Sequence, residues 1–178
     1  LITLGLFLHK RLSGSYETKS IVVLPFKNLS NDLGNQYIAD GLLEDILNSL
    51  FRISKLRVVS RTTSEYFRDK NLTMEEIARA VKADYVLEGC IRNYDDKIRI
   101  SVQLIDAGND QHLWSHNFDR DMYNILGIQG EIALQIANKL EAVYSGINVS
   151  QIGEKPTQNP EAYDNYMKGR YLLNKADG

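Results

Sequence analysis

Arg61-Thr62-Thr63 sets a guanidinium fork and two hydroxyls side by side, a group suited to a carboxylate, a phosphate or a peptide backbone. Asn28 and Ser30 add an amide and a hydroxyl at the polar end of IVVLPFKNLS, residues 21–30. In HLWSH, residues 112–116, His112, Trp114 and His116 would share one face of a strand. The two histidines would then stand about 13 Å apart, too far to chelate one metal by themselves. Trp114 reads as a packing residue or, flanked by polar groups, as part of a partner surface. Cys90, between Gly89 and Ile91, reads as a small buried hydrophobe with no base at hand. The sequence holds neither G-x-x-x-x-G-K-[ST] nor G-x-G-x-x-G, so no phosphate loop is expected. No catalytic set, metal site or cofactor is expected, and the chain reads as non-enzymatic.

The positions of these groups follow from the elements around them. Residues 21–26 form an apolar run with no alternation, the pattern of a strand buried on both faces. Residues 36–53 place Ile38, Leu42, Leu43, Ile46, Leu47, Leu50 and Phe51 on one helical stripe, with Asn35 as N-cap. Asp40, Glu44 and Asp45 fall outside that stripe and read as a solvated face, Asp40 within reach of a neighbouring loop. Residues 56–60 form a short strand, with 61–64 as a polar loop after it. Thr73 and Glu76 make a capping box that opens a helix to about Val81. Residues 85–93, 97–106 and 112–118 form an antiparallel meander with one solvated face, Ile98, Ile100, Val102 and Leu104 alternating with polar neighbours. A helix over 122–144 repeats Ile125, Ile128, Ile132, Ile136, Leu140 and Val143; Gly127 and Gly130 within it read as close-packing positions.

The order is β-α-β-α-β-β-β-α, an α/β (mixed α+β) fold with a parallel start, an antiparallel meander and helices packed on the sheet. Segments 28–30 and 61–64 then leave parallel strands at one edge, where open α/β sheets place ligands. Arg61 either serves a binding site there with Asn28, Ser30, Thr62 and Thr63, or pairs with Asp40 or Glu88 to tie strand to helix. The pairing carries the greater weight.

A hydrophobic content of 43% and a charged content of 25% are those of a globular chain able to bury a core. The net charge of −2 gives no general pull toward nucleic acid. A single cysteine excludes an internal disulfide. LITLGLFL, residues 1–8, is too short to span a bilayer, which takes about 20 residues, and reads as the end of a transmembrane or signal segment. The expected divisions are that segment at 1–12, a linker at 13–19, one domain at 20–146, a linker at 147–158 and a new helix at 159–178. Asn159-Pro160-Glu161 supplies its N-cap, N1 proline and acidic first turn. That helix is expected to find nothing within the chain to pack on.

Five motifs in order resemble the TolB-like amino-terminal domain family, related to the flagellar domain FlgO. They are VLPFKNLS, ADGL at 39–42, LRVVSRT at 56–62, YVLEG at 85–89 with Arg92, and VQLIDA with HLWS, Asp119 and Arg120. The tail NPEAYDNYMKGRYLLNK looks like the start of a tetratricopeptide array, of which one helix cannot test the repeat period. The resemblance implies a sensory or interaction module beyond a membrane segment. Its expected partners are a protein or peptide and its own downstream helical repeats, with no nucleic acid bound by this part. The effector would lie elsewhere: a DNA-binding winged helix, a nucleotide cyclase or a kinase. The family setting favours the periplasm, whereas Lys10 and Arg11 after the apolar run favour the cytoplasmic face. The alternative is a receptor for a small anionic ligand at the Asn28 and Arg61 edge.

Overall fold

The computed structural model describes residues 18–30, 33–94, 96–121, 125–141 and 157–176. The apolar run at 1–8 and the linkers on either side of the domain lie mostly or wholly outside the described residues. No described helix is long and apolar enough to cross a membrane.

Strand β1 (Lys19–Val23) lies between β3 (Leu56–Val58) and β4 (Tyr85–Tyr94), parallel to both. Strands β4, β5 (Lys97–Asp106) and β6 (Gln111–Asp121) form the antiparallel meander, giving the order β3-β1-β4-β5-β6. The mixed sheet and its parallel start are as the sequence predicts. Lack of alternation in β1 has a direct cause. Ile21 and Val23 face the main core, while Val22 faces a second, smaller core on the other side. Ser20 fastens the start of the strand, its amide and hydroxyl both donating to Asp84 Oδ2 at 2.8 and 2.7 Å.

The main core is closed by α1 (Gln36–Phe51) and α4 (Ile128–Glu141), with Leu43, Ile46, Ile132 and Ile136 fully buried. Asn35 precedes α1 without a side-chain cap, because a 3-10 turn over Leu33–Asn35 leads into the helix instead. The second core is closed by α3 (Met74–Val81), opened by the Thr73–Glu76 capping box, and by Phe67. Gly127 stands in the turn before α4 with φ of 90°, so conformation rather than close packing requires glycine there.

After β1 the chain continues along the same side of β4 with one break. Leu24 N–H still donates to Leu87 O at 2.8 Å; Pro25 and Phe26 interrupt, and β2 (Lys27–Asn28) rejoins β4 at Cys90 and Ile91. Phe26 is 1% exposed and lies over Gly89, where a Cβ would approach its Cδ1 and Cζ to 2.8 Å. The glycine of YVLEG and the phenylalanine of VLPF are thus one packing unit. Replacing Phe26 by alanine is expected to cost about 3–5 kcal/mol in urea unfolding. A valine at Gly89 is expected to destabilise too, and an unchanged midpoint in either variant would contradict this packing.

Candidate functional site

Strand β3 ends early. Val59 N–H donates to Ile21 O at 2.9 Å, and Ser60 then caps a short helix, α2 (Arg61–Glu65), where the sequence predicts a loop. The cap explains the difference: Ser60 Oγ accepts from Thr63 N–H at 3.4 Å and lies 3.0 Å from Thr63 Oγ1. At the other segment, Asn28 Oδ1 accepts from Ser30 N–H at 2.9 Å, and Ser30 Oγ accepts from Asn93 N–H at 2.9 Å. Asn28, Arg61 and Thr62 line one groove of about 1460 Å³, while the hydroxyls of Ser30 and Thr63 serve the turn and the cap.

Arg61 donates to Glu44 Oε2 at 2.6 Å, rather than pairing with Asp40 or Glu88. Asp40 instead accepts from Arg68 at 2.8 Å, and Arg68 also grips Glu65 at 2.7 and 2.9 Å. Those hydrogen bonds, above all the one to Glu65, raise the Arg68 pKa further. Glu88 lines the groove on the sheet face, beside a half-buried Cys90 that is not the buried residue expected. Alternation aims both away from the main core, onto a face that the second core covers only at one end.

The acids of α1 are not a solvated row. Helix α5 (Pro160–Ala176), capped by Asn159 Oδ1 on the amides of Glu161 and Ala162 at 3.0 and 3.3 Å, packs across them. It therefore has the packing partner that the sequence reading denied it. Tyr163 and Met167 are 3% and 2% exposed, and Met167 occupies a notch at Gly41, where a Cβ would come within 2.9 Å of its Cγ. Tyr37 Oη donates to Asp164 at 2.7 Å, Tyr163 Oη donates to Asp45, and Arg170 donates to Glu44 Oε1. Glu44 thus joins Arg61 at the groove to Arg170 on α5. Burial raises the Asp45 carboxyl pKa against the opposing Tyr163 hydrogen bond, and burial with Asp45 raises the Tyr163 phenol. Arg68 and Arg170 were missed in the sequence, and Glu44 was read as solvated; the spacing Tyr163, Met167, Arg170 was the available trace of a packed face.

The aromatic strand departs from its predicted pattern. A register shift pairs Leu104 with Trp114 but Ile105 with His112, so a bulge at Leu113 turns His112 to the face opposite Trp114 and His116. Trp114 is half-buried against the main core and stacks with His116 at 6.1 Å and 11°. Among the described residues no cluster of His, Cys, Asp or Glu could hold a metal ion.

The groove's arginines are held in ion pairs, and the hydroxyls of Thr63 and Ser30 serve a helix cap and a turn. The chain belongs to the HilA/YgeH-like transcriptional regulator second-domain family, whose model matches residues 17–134. A Rhizobium meliloti (strain 1021) protein provisionally named adenylate cyclase 3 is 35% identical over 154 residues, 86% of this chain and 26% of that protein. The chain thus spans about a quarter of that relative's length. TolB from Acinetobacter baumannii aligns with a TM-score of 0.53 and 19% identity, over 70% of this chain and 29% of its own, which shows a TolB-like fold. Lipoprotein GNA1162 from Neisseria meningitidis aligns at 0.49 with 20% identity, over 71% of this chain and 99% of its own.

Two outcomes test this geometry. Arg61→Ala and Arg170→Ala should each cost on the order of 1 kcal/mol, as partly exposed pairs do. In a double-mutant cycle their losses should fail to add by about 0.5 kcal/mol or more, since both act on Glu44; strict additivity would rule out the shared link. The second concerns pH. A raised folded-state pKa means the folded protein holds the Asp45 proton more tightly than the unfolded chain does. That contribution is complete below the unfolded value near 3.8 and is lost as pH rises through the raised value. Asp45→Asn should therefore gain in melting temperature relative to wild type between acid and neutral pH. A constant difference would refute the buried, ionised carboxylate.

Proposed function

We propose that this domain is a non-enzymatic input module of a longer, membrane-anchored bacterial protein. It receives a protein or peptide contact and passes it to an effector such as a transcription regulator or a nucleotide cyclase. The observation that carries this reading is the kind of protein in which the module recurs. Its family is named for transcriptional regulators, and its relative, more than three times as long, is named for adenylate cyclase. One domain beside two different effectors supports input rather than output chemistry. In this reading α5 is the first helix of a tetratricopeptide-type array, with kinship to FlgO, and the α1–α5 contact joins the module to the repeats. Residues 1–8 would end the membrane segment, with the domain on the periplasmic side; Lys10 and Arg11 keep the cytoplasmic face as the alternative. A small-anion receptor at Asn28 and Arg61 stands second, because Glu44 already neutralises the guanidinium.

The test is an in-frame deletion of residues 18–176 from the full-length protein, with reporter transcription or cyclic AMP as the readout. The effector is expected to keep its basal output and to lose its response to stimulus. Loss of basal turnover in a folded, purified deletion protein would instead assign the domain to the catalytic machinery.

A further inference from the structure

The sheet ends at β6. Among the described residues no strand lies beyond it, and the backbone hydrogen bonds of residues 113–118 run to β5 alone. An edge strand presents a row of free N–H and C=O groups, which proteins commonly guard with charge, proline or a bulge. Here the bulge at Leu113 guards one end, and Asp119, Arg120 and Asp121 guard the other. Between them Trp114-Ser115-His116-Asn117-Phe118 pairs regularly with β5 and holds no Lys, Arg, Asp, Glu or Pro. On the core face Trp114 is half-buried, and the exposed His116 meets the Phe118 ring edge-on at 4.6 Å. Arg120 donates to Glu131 Oε2 at 2.6 Å, which sets that flank of α4 toward the edge. Leu134, 38% exposed, follows Glu131 by one helical turn and stands on the same flank.

This stretch is complementary to itself. Two antiparallel copies, related by a two-fold axis normal to the sheet at His116, set Trp114 of each against Phe118 of the other. Ser115 of each then meets Asn117 of the other on the opposite face, and His116 meets its own copy. Aromatic and polar pairs of this kind stabilise neighbouring strands. The antiparallel order also lays residues 119–121 of each strand beside Gln111, His112 and Leu113 of the other, so like charges do not face each other. An axis at Ser115 would draw the bulge into the pairing. An axis at Asn117 would set Ser115 against Asp119 and Trp114 against Arg120, which Arg99 and Glu131 already hold. We propose that β6 pairs with β6 of a second copy of this chain, antiparallel about His116, joining two sheets into one with the α4 flanks facing across the seam. So short a pairing sets a contact below about 1,200 Å², at the small end of specific interfaces, and the dimer is reversible. The contact is independent of the groove and of the reading of the domain as an input module.

Sedimentation equilibrium of the full chain, from micromolar to millimolar concentration, is the test. Wild type should show a reversible monomer–dimer equilibrium. Because residue 116 faces itself across the axis, H116K and H116E should each weaken the dimer by about fivefold or more, with the melting temperature of the monomer unchanged. An equimolar mixture of the two should recover a dimer with one of each, since lysine then faces glutamate. Ser115 and Asn117 are exposed on the other face, so they serve even where changes at His116 disturb folding. S115K with N117K should weaken the dimer, and S115K with N117E should restore it. A wild type that stays monomeric throughout, a dimer indifferent to both sets of variants, or opposite charges that fail to restore it would each overturn the proposal. So would a monomeric wild type whose β6 amides are protected from hydrogen exchange by an added peptide of unrelated sequence, which would assign the edge to a foreign strand.

Discussion

The break of the chain over Gly89 is the constraint from which the rest of the domain follows. A side chain at that position would collide with Phe26, and without Phe26 the main core would lose its cover between β1 and β2. The break also carries the chain past the last paired residue of β3. Pro25 sits at the break, where it brings no N–H that would need a partner. The polar segment at Asn28 and the capped turn at Ser60 then emerge on either side of one gap. The groove is a consequence of how a glycine and a phenylalanine pack.

Helix α1 carries a second constraint because it is covered on two sides. Its apolar stripe meets the sheet, and Gly41 on another face admits Met167 of α5. Carboxylates at 40, 44 and 45 are thereby drawn out of solvent, and a half-buried carboxylate needs a donor. Each finds one: Arg68 for Asp40, Arg61 and Arg170 for Glu44, Tyr163 for Asp45. Two of these donors belong to the groove segment and two to α5. Covering α1 therefore obliges the loop at the sheet edge and the last helix to share one set of charges.

What the sequence disclosed follows the same physics. Periodicity located α1, α4 and the alternating strands of the meander, because each buries a regular face on a sheet. The Thr73–Glu76 box and the Asn159-Pro160 cap are local and were read in full. Contacts joining distant residues left weaker traces. Arg61 was seen to need a carboxylate, yet only the packing of α2 against α1 makes Glu44 that carboxylate. The bulge at Leu113 has no turn residue to announce it, so His112 was placed on the wrong face. The solvated reading of Glu44 and Asp45 failed because α5 covers α1 from more than 100 residues away in sequence, and that of Asp40 because Arg68 reaches it.

Magnitudes decide which part of this molecule can respond to a bound partner. The sheet and its two helical layers bury dozens of apolar side chains. Helix α5 is held by two buried side chains, each worth about 1.5–3 kcal/mol before ordering costs, and by a few partly exposed polar links. Ordering its backbone and side chains opposes much of that gain. A ligand at about a hundred times its dissociation constant contributes roughly 2.7 kcal/mol to whichever state it selects. Such energy is small beside the core and comparable with the net attachment of α5. Tyr171, Asn174 and Lys175 of this helix also line the groove. The α1–α5 seam is thus the described junction whose net stability is small enough for binding energy of that size to change.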